Sequence, residues 1–139
     1  MTITNLQKLE KTVNSELASK VQKSVIEHNE LLIYIDAADL VYVIQFLKSN
    51  DVFKFRQLID IAGVDYPEDD KRFQLVYLLL SHEYNSRIKL MIKFQIDQSI
   101  PSITKIFPSA NWMEREVFDM YGINFKNHPD LRRILTDYN

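Results

Sequence analysis

The chain has 139 residues, of which 46% are apolar, and its formal net charge at pH 7 is −2. That length suits one globular domain, which buries roughly two-thirds of the surface that its unfolded chain exposes. The slightly acidic balance argues against a general nucleic-acid binder, because such a protein needs a basic surface to neutralise phosphates. Without any cysteine, the chain cannot form disulfides, thiolate zinc sites, cysteine-held iron–sulfur clusters or a cysteine nucleophile.

The sequence also gives no sign of a membrane span or a targeting peptide. Its longest apolar run, Leu75 to Leu80, is far shorter than the roughly twenty residues of a membrane-spanning helix. The N-terminus lacks the apolar core of a secretory signal, and Glu10 and Glu16 interrupt any basic transit peptide. We therefore expect an intracellular protein that meets a membrane only through its partners.

The first predicted element is an amphipathic helix over about Asn5 to Lys23. Its acidic residues Glu10 and Glu16 dilute the positive charge, and no Trp or Phe anchors the apolar face, so packing on the domain's own sheet is favoured over lipid binding. One helical stripe carries the apolar residues Leu6, Leu9, Val13, Leu17 and Val21.

A hairpin and a second helix come next. Val25 to Ile35 predicts a short strand, a His28-Asn29 turn and a stronger strand. Asp36 is expected to cap the helix, with Asp39 at the capping-box position and Ser49-Asn50 at its end. The buried stripe of this helix is predicted to be Leu40, Val43, Ile44 and Leu47.

Three strands are predicted in the middle of the chain. Phe55 to Val64 is read as a strand with Ile59 and Ile61 on one face, and the acidic run Asp65 to Lys71 as a turn. Phe73 to Ser81 is nearly all apolar, which is typical of a central strand covered on both faces. The third strand alternates, with Ile88, Leu90, Ile92 and Phe94 on one face and Arg87, Lys89, Met91 and Lys93 on the other.

After a loop and a short helical turn near Ser102 to Ile106, the chain enters a helix over about Trp112 to Tyr121. Asn111 and Glu114 are predicted to form a capping box at its start, and Gly122 to supply the left-handed residue past its end. The predicted buried stripe is Met113, Val117, Met120 and Tyr121.

These elements predict an α+β fold: a mostly antiparallel sheet of about four strands, with helices mainly on one side and the order α-β-α-β-β-β-α-α. We expect residues 1–139 to form a single domain. Only Gly63 and Gly122 are glycines, so a phosphate-binding glycine loop is not expected, and with it neither NADH nor flavin binding by this chain.

The last quarter, Asn111 to Tyr138, mixes large aromatic and apolar side chains with charges of both signs. That composition is typical of a protein interface. A segment that only closes its own domain's core would account for the composition equally well.

Two runs within this quarter carry a resemblance. They are Glu114-Arg115-Glu116-Val117-Phe118-Asp119-Met120-Tyr121-Gly122 and His128-Pro129-Asp130-Leu131-Arg132-Arg133-Ile134-Leu135-Thr136-Asp137-Tyr138. Their charged positions and spacing resemble the signature of the C subunit of the respiratory NADH:quinone oxidoreductase, complex I. The strings Leu58-Ile59-Asp60 and Val64-Asp65-Tyr66-Pro67 and the order of elements are also similar, so the resemblance covers most of the chain.

The resemblance implies a cofactor-free structural subunit in the quinone module of the peripheral arm. Its expected partners are the subunit that lines the quinone pocket and the subunit that holds the terminal cluster. The complex would use FMN, iron–sulfur clusters, NADH and quinone, none of them held by this chain, and no independent activity is expected. The implied location is peripheral, on the cytoplasmic side of a bacterial inner membrane or the matrix side of a mitochondrial one. Because the family usually continues past the position of Tyr138 with a glycine and a long extension, we expect either a truncated chain or an unusually short member of the family.

Within this hypothesis the docking residues are predicted from the two runs, because paired arginines and carboxylates fix the register of an interface. They are Glu114, Arg115, Glu116, Asp119, His128, Pro129, Asp130, Arg132 and Arg133.

Acid–base chemistry has less support in the residues. His128 is expected to fix the C-terminal tail, Leu131 to Tyr138, by a hydrogen bond rather than to transfer protons. His28 and His82 are expected to be structural or solvated. Glu114 and Glu116 point to different helix faces, which makes a shared acid–base site unfavourable.

An RNA-binding sheet built from Arg87, Lys89 and Lys93 beside Tyr77 lacks the motif spacing of such sheets. The alternative that stays open is a free-standing binding or regulatory module that uses the same C-terminal surface.

Overall fold

The computed structural model describes residues 5–82, 85–95 and 97–129. Its three helices are α1 (Asn5–Glu16), α2 (Leu40–Ser49) and α3 (Ala110–Tyr121), and a 3₁₀ turn (Ala37–Asp39) precedes α2. The described strands are β1 (Val21–Glu27), β2 (Glu30–Ile35), β3 (Gln57–Asp65), β4 (Phe73–Ser81), β5 (Ser86–Phe94), β6 (Ile100–Pro101) and β7 (Phe125–Lys126).

Five of these strands form one sheet in the order β1-β2-β5-β4-β3. Every neighbouring pair is antiparallel except β2 and β5, which run parallel. The parallel pair results from the crossover through α2, β3 and β4 that brings the chain back beside β2. The predicted α+β class with a mostly antiparallel sheet is confirmed, and β1 adds a fifth strand where about four were predicted.

One side of the sheet forms the core together with the helices. Leu75, Tyr77 and Leu79 of β4 are fully buried there, in the same cluster as Leu9 of α1 and Leu47 of α2. Each such side chain contributes roughly 1.5–3 kcal/mol by leaving water.

The opposite side of β4 carries Val76, Leu78 and Leu80, which are only partly buried. The strand lies inside the sheet, between β5 and β3, but it is fully covered on one face only, unlike the two covered faces that its apolar run predicted. The predicted alternation of β5 is confirmed, since Ile88, Leu90, Ile92 and Phe94 are all buried.

The first helix is shorter than predicted. It ends at Glu16, and the chain turns through hydrogen bonds from the Lys20 and Val21 amides to the Leu17 carbonyl before β1 begins at Val21. Val21 to Glu27 pair with β2, and this pairing outweighs the helical periodicity because tertiary contacts override propensity. His28 (φ 51°) and Asn29 (φ 62°) form the predicted turn between the two strands.

The prediction that Ile59 and Ile61 share a face is wrong. The pairing of β3 with β4 shifts register between Leu58 and Asp60, as in a β-bulge. An extra residue in one strand moves the side chains beyond it to the opposite face, so Leu58 and Ile61 are buried while Ile59 is exposed.

The predicted stripe of α2 is confirmed, because Leu40, Val43, Ile44 and Leu47 have no exposed surface. The predicted cap is wrong. Neither Asp36 nor Asp39 makes a side-chain capping bond. Asp36 accepts a hydrogen bond from Gln22 Nε2 (2.8 Å), and Asp39 lies 3.5 Å from Lys20 Nζ. Both carboxylates thus link the start of α2 to the start of β1.

Candidate partner-docking site

The helix α3 carries most of the described part of the docking motif. It starts at Ala110, two residues before the predicted start, so Asn111 lies within its first turn. Gly122 follows with φ 73° and donates its amide to the Phe118 carbonyl (2.8 Å), which confirms the predicted left-handed end.

Glu114 does not form the predicted capping box. Its carboxylate has no exposed surface and faces the loop before α3, where Oε1 accepts a hydrogen bond from Ser102 Oγ (2.7 Å) and Oε2 from the Ile103 amide (2.9 Å). The carboxylate thereby supplies a partner for a buried backbone amide that would otherwise be costly to leave unpaired. Glu114 ties the loop to the helix instead of capping the helix.

Burial raises the pKa of the Glu114 carboxyl above its usual range, because desolvation disfavours the charged form. The hydrogen bonds from the Ile103 amide and the Ser102 hydroxyl, together with the neighbouring His128, oppose part of that rise. The balance favours a carboxyl that holds its proton to higher pH than an exposed glutamate does.

His128 joins the same cluster from the segment after β7. Its Nε2 lies 3.1 Å from the Asn111 carbonyl oxygen and 3.8 Å from Glu114 Oε1, and the His128 and Glu114 side chains are both buried. The hydrogen bond expected of His128 is therefore present. We call Asn111, Glu114 and His128 the tail latch, because they fasten the segment after β7 to the start of α3.

The buried arc of α3 differs from the predicted stripe at one position. Met120 is 73% exposed, whereas Val117 is buried and Met113 and Tyr121 pack partly buried against the core. Ala110, Glu114 and Val117 define the inward direction of the helix, and each residue advances about 100° around its axis. A prediction from apolar residues alone leaves out the buried Glu114. It therefore assigned Met120 to the buried side of the helix in error.

Large apolar side chains on the outer face of α3 were missing from the predicted docking set. Trp112 is 52% exposed and Met120 is 73% exposed, with the exposed Glu116 between them. Trp112, Glu116 and Met120 follow one another at intervals of four residues and so share one side of the helix. We call this side the outer face of α3. The sequence signal that could have identified them is a Trp and a Met eight residues apart, which places both on the same side of a helix.

Arg115 stacks on Trp112, its guanidinium carbon 5.5 Å from the ring centroid. Its Nε is buried and has no hydrogen-bond partner among the described residues. Arg and Trp are both among the residue types enriched at interface hot spots.

The remaining predicted residues fall into two groups. Asp119 is partly buried on α3, and Pro129 is exposed directly after the latch. Asp130, Arg132 and Arg133 lie outside the described residues. The structure thus brings Glu114 and His128 together and leaves Glu116 on the outer face.

The structure also locates the tyrosine and the two histidines that the sequence offered as other candidate sites. Tyr77 lies on the core side of the sheet, fully buried, so it cannot stack on a base beside Arg87, Lys89 and Lys93. His28 is exposed in the hairpin turn near Glu27, and His82 contacts the Gln57 side chain.

Among residues 5–82, 85–95 and 97–129, no group of three His, Cys, Asp or Glu is arranged to hold a metal ion. Of the helices within those ranges, none combines the length and the apolar character needed to cross a bilayer.

Comparison with known proteins identifies relatives over most of the chain. Residues 33–139 match the family described as respiratory-chain NADH dehydrogenase, 30 Kd subunit. The C subunit of NADH-quinone oxidoreductase from a Chelativorans species is 45% identical over 126 residues, covering 91% of this chain and 63% of the relative.

The proteins of the same name from Xanthobacter autotrophicus and Ruegeria pomeroyi are 48% and 51% identical, over 91% and 81% of this chain and 60% and 56% of their own length. The chain therefore spans about three-fifths of the length of these curated relatives.

Solved structures share the fold. A trypsin-resistant fragment (1-134) of Nqo5 is 27% identical, with a TM-score of 0.76 over 89% of this chain and 99% of the fragment. A chain of an archaeal membrane-bound sulfane sulfur reductase, a respiratory membrane complex, is 20% identical with a TM-score of 0.77 over 96% of this chain and 75% of its own, and shows the fold alone. By sequence and by fold, this chain belongs to the family of the 30 Kd subunit of the respiratory-chain NADH dehydrogenase.

Proposed function

We propose that the chain is a cofactor-free structural subunit of the peripheral arm of proton-translocating NADH:quinone oxidoreductase. In this role residues 1–139 form one domain of the quinone module, which supports electron transfer from NADH to quinone without holding a redox centre. Its partners are the subunit that lines the quinone pocket and the subunit that holds the terminal cluster. It sits peripherally on the cytoplasmic side of a bacterial inner membrane, or on the matrix side of a mitochondrial one.

The single observation that supports docking most directly is the outer face of α3. Trp112 and Met120 expose half or more of their surface beside the stacked Arg115, and aromatic, Met and Arg side chains are the types enriched in interfaces. Both side chains are partly exposed, so they forgo part of the roughly 1.5–3 kcal/mol that fully burying a large apolar side chain provides. A partner that covers this face recovers some of that free energy.

The predicted docking residues divide between two tasks. Glu116 and the stacked Arg115 lie where a partner can reach them, together with Asp119 and Pro129 at the margins. The Glu114 and His128 side chains are buried and act through the tail latch, by fixing where the chain goes after β7. For Asp130, Arg132 and Arg133 we propose direct contact with the partner.

A free-standing binding or regulatory module that uses the same face is the second candidate, favoured by the exposure of Trp112 and Met120 in the single chain. Native electrophoresis of gently solubilised membranes separates the two candidates. The leading proposal predicts that the tagged protein migrates with NADH:quinone activity and that the isolated protein has no visible absorption band. Migration with an unrelated partner alone supports the module, and a flavin, haem or cluster spectrum contradicts the cofactor-free role.

A further inference from the structure

A groove runs between the outer face of α3 and strand β3. Residues 61–63 line it from the strand, and Glu116, Val117, Met120 and Tyr121 line it from the helix, around a volume of about 220 Å³. Small-molecule sites in proteins usually have roughly 300–1,000 Å³. The groove is therefore the size of a single side chain rather than of a cofactor.

The groove is built into the fold. The Tyr121 hydroxyl donates a hydrogen bond to the Gly63 carbonyl (3.0 Å), and its ring lies so close to the strand that a Cβ on Gly63 would be 2.7 Å from Cε2. Tyr121 also meets Phe73 edge to face, with ring centroids 6.3 Å apart. Helix and strand are joined at this point, so the groove is present in the chain before any occupant binds.

The lining of the groove is apolar except for one charged side chain at its rim. Glu116 is exposed and has no ion-pair partner in the described part of the chain, and the exposed thioether of Met120 lies one turn further along the helix. The remaining lining is aliphatic, aromatic or glycine. A side chain with an apolar stem and a cationic head meets both conditions, because lysine and arginine bury their methylene groups while the head stays at a wet rim.

The other end of the helix face limits where that cation can sit. Arg115 already occupies the Trp112 ring, so a second cation there would be repelled. Glu116 lines the groove, whereas the Trp112 ring already carries the Arg115 guanidinium. The charges on α3 therefore favour the groove over the Trp112 ring as the place for a further basic side chain.

We infer that the α3–β3 groove receives one lysine or arginine side chain of a neighbouring subunit, whose stem packs on Met120 and Tyr121 and whose head pairs with Glu116. This inference rests on the proposed function and names the chemistry of the partner at that site. It also assigns Met120 to the contact as an apolar wall.

The first arm of the test is photo-cross-linking in the assembled complex, with p-benzoylphenylalanine in place of Met120. We expect the adduct to join a peptide of another subunit that has a lysine or arginine within one helical turn of the cross-linked residue. An adduct with a peptide lacking such a residue, an adduct with a second copy of this chain, or no adduct in a complex that has assembled overturns the inference.

The second arm is charge reversal. Glu116→Lys is expected to lower incorporation by ~10-fold or more, because like charges face each other, and reversal of the cross-linked basic residue to Glu should restore it. Glu16→Lys, at an exposed acid on α1, is the matched control and should incorporate normally. Normal incorporation of Glu116→Lys, or failure of the paired reversal to restore it, contradicts the inference. Absence of the wild-type chain from the complex would instead overturn the proposed function.

Discussion

A carboxylate without exposed surface, Glu114, holds three parts of the chain together. It accepts hydrogen bonds from Ser102 and from the Ile103 amide, and His128 lies 3.8 Å away. Truncating one partner of such a buried polar cluster costs several kcal/mol, because the other groups stay buried without their partners. At the scale of the single residue, Glu114 therefore holds the start of the docking motif in place and is too deeply buried to contact a partner itself.

Replacing Glu114 with Gln should change how stability depends on pH. The folded-state pKa of Glu114 lies above its ordinary value of 4.5, so as pH rises the unfolded chain loses this proton first and stability falls until the folded-state pKa is passed. The free energy of unfolding of the wild type, minus that of Glu114→Gln, should thus decrease as pH increases from about 4 to about 7.

Urea unfolding across that range measures this difference in stability. Repeating the pair of proteins in a His128→Asn background separates the carboxyl from its histidine neighbour. A difference that stays constant or grows with pH would show that the pKa of Glu114 is not raised.

Gly63 should resist substitution because of Tyr121 rather than because of its backbone. A Cβ at Gly63 would be 2.7 Å from the Tyr121 ring, and forced contacts of this kind cost roughly 1–3 kcal/mol. We expect Gly63→Ala to lower the free energy of unfolding by that amount, as measured by chemical denaturation. In a Tyr121→Leu background the same substitution should cost clearly less; an equal cost in both backgrounds would exclude the ring as the cause.

At the scale of elements, local periodicity was a good guide where a helix or strand meets the core with apolar residues alone. The α2 stripe and the alternation of β5 were predicted correctly for this reason. Periodicity failed where contacts distant in sequence decide the structure: the pairing of β1 with β2, the bulge that turns Ile59 outward, and the buried Glu114 that turns Met120 outward.

The same limit applies to the candidate site. The motif runs identified α3 and His128, but no sequence pattern indicated that Glu114 and His128 would meet across the start of the helix. The groove beside β3 depends on the contact between Gly63 and Tyr121, which lie 58 residues apart. Such a site becomes visible only once the sheet is assembled.

The tail latch should control the order of β7 without controlling the order of the main sheet. We expect His128→Ala to speed amide exchange at Phe125 and Lys126, since the hydrogen bond to the Asn111 carbonyl is lost. Exchange at Leu75 and Leu90, in the core strands, should stay unchanged apart from a small global shift. Hydrogen exchange followed by mass spectrometry or NMR measures both regions, and equal acceleration everywhere would show that His128 stabilises the fold as a whole.

At the scale of the whole molecule, this chain belongs to the 30 Kd subunit family, and its described residues combine a buried apolar core with an outer helix face that exposes Trp112 and Met120. In the assembly that we propose, the core holds α3 in place, the latch fastens the segment after β7 to α3, and the charged motif contacts the neighbouring subunits. Each level depends on the one below it, since a misplaced α3 would misplace the docking residues that it carries.

Charge reversal in the tail tests this account most directly. The variant Arg132→Glu/Arg133→Glu is compared with the control Lys8→Glu/Lys11→Glu on the exposed side of α1. Native electrophoresis measures the fraction of each chain that migrates with NADH:quinone activity, while circular dichroism confirms that each is folded. The account predicts that the arginine variant is folded but absent from the complex while the lysine variant is incorporated normally; normal incorporation of the arginine variant would contradict it.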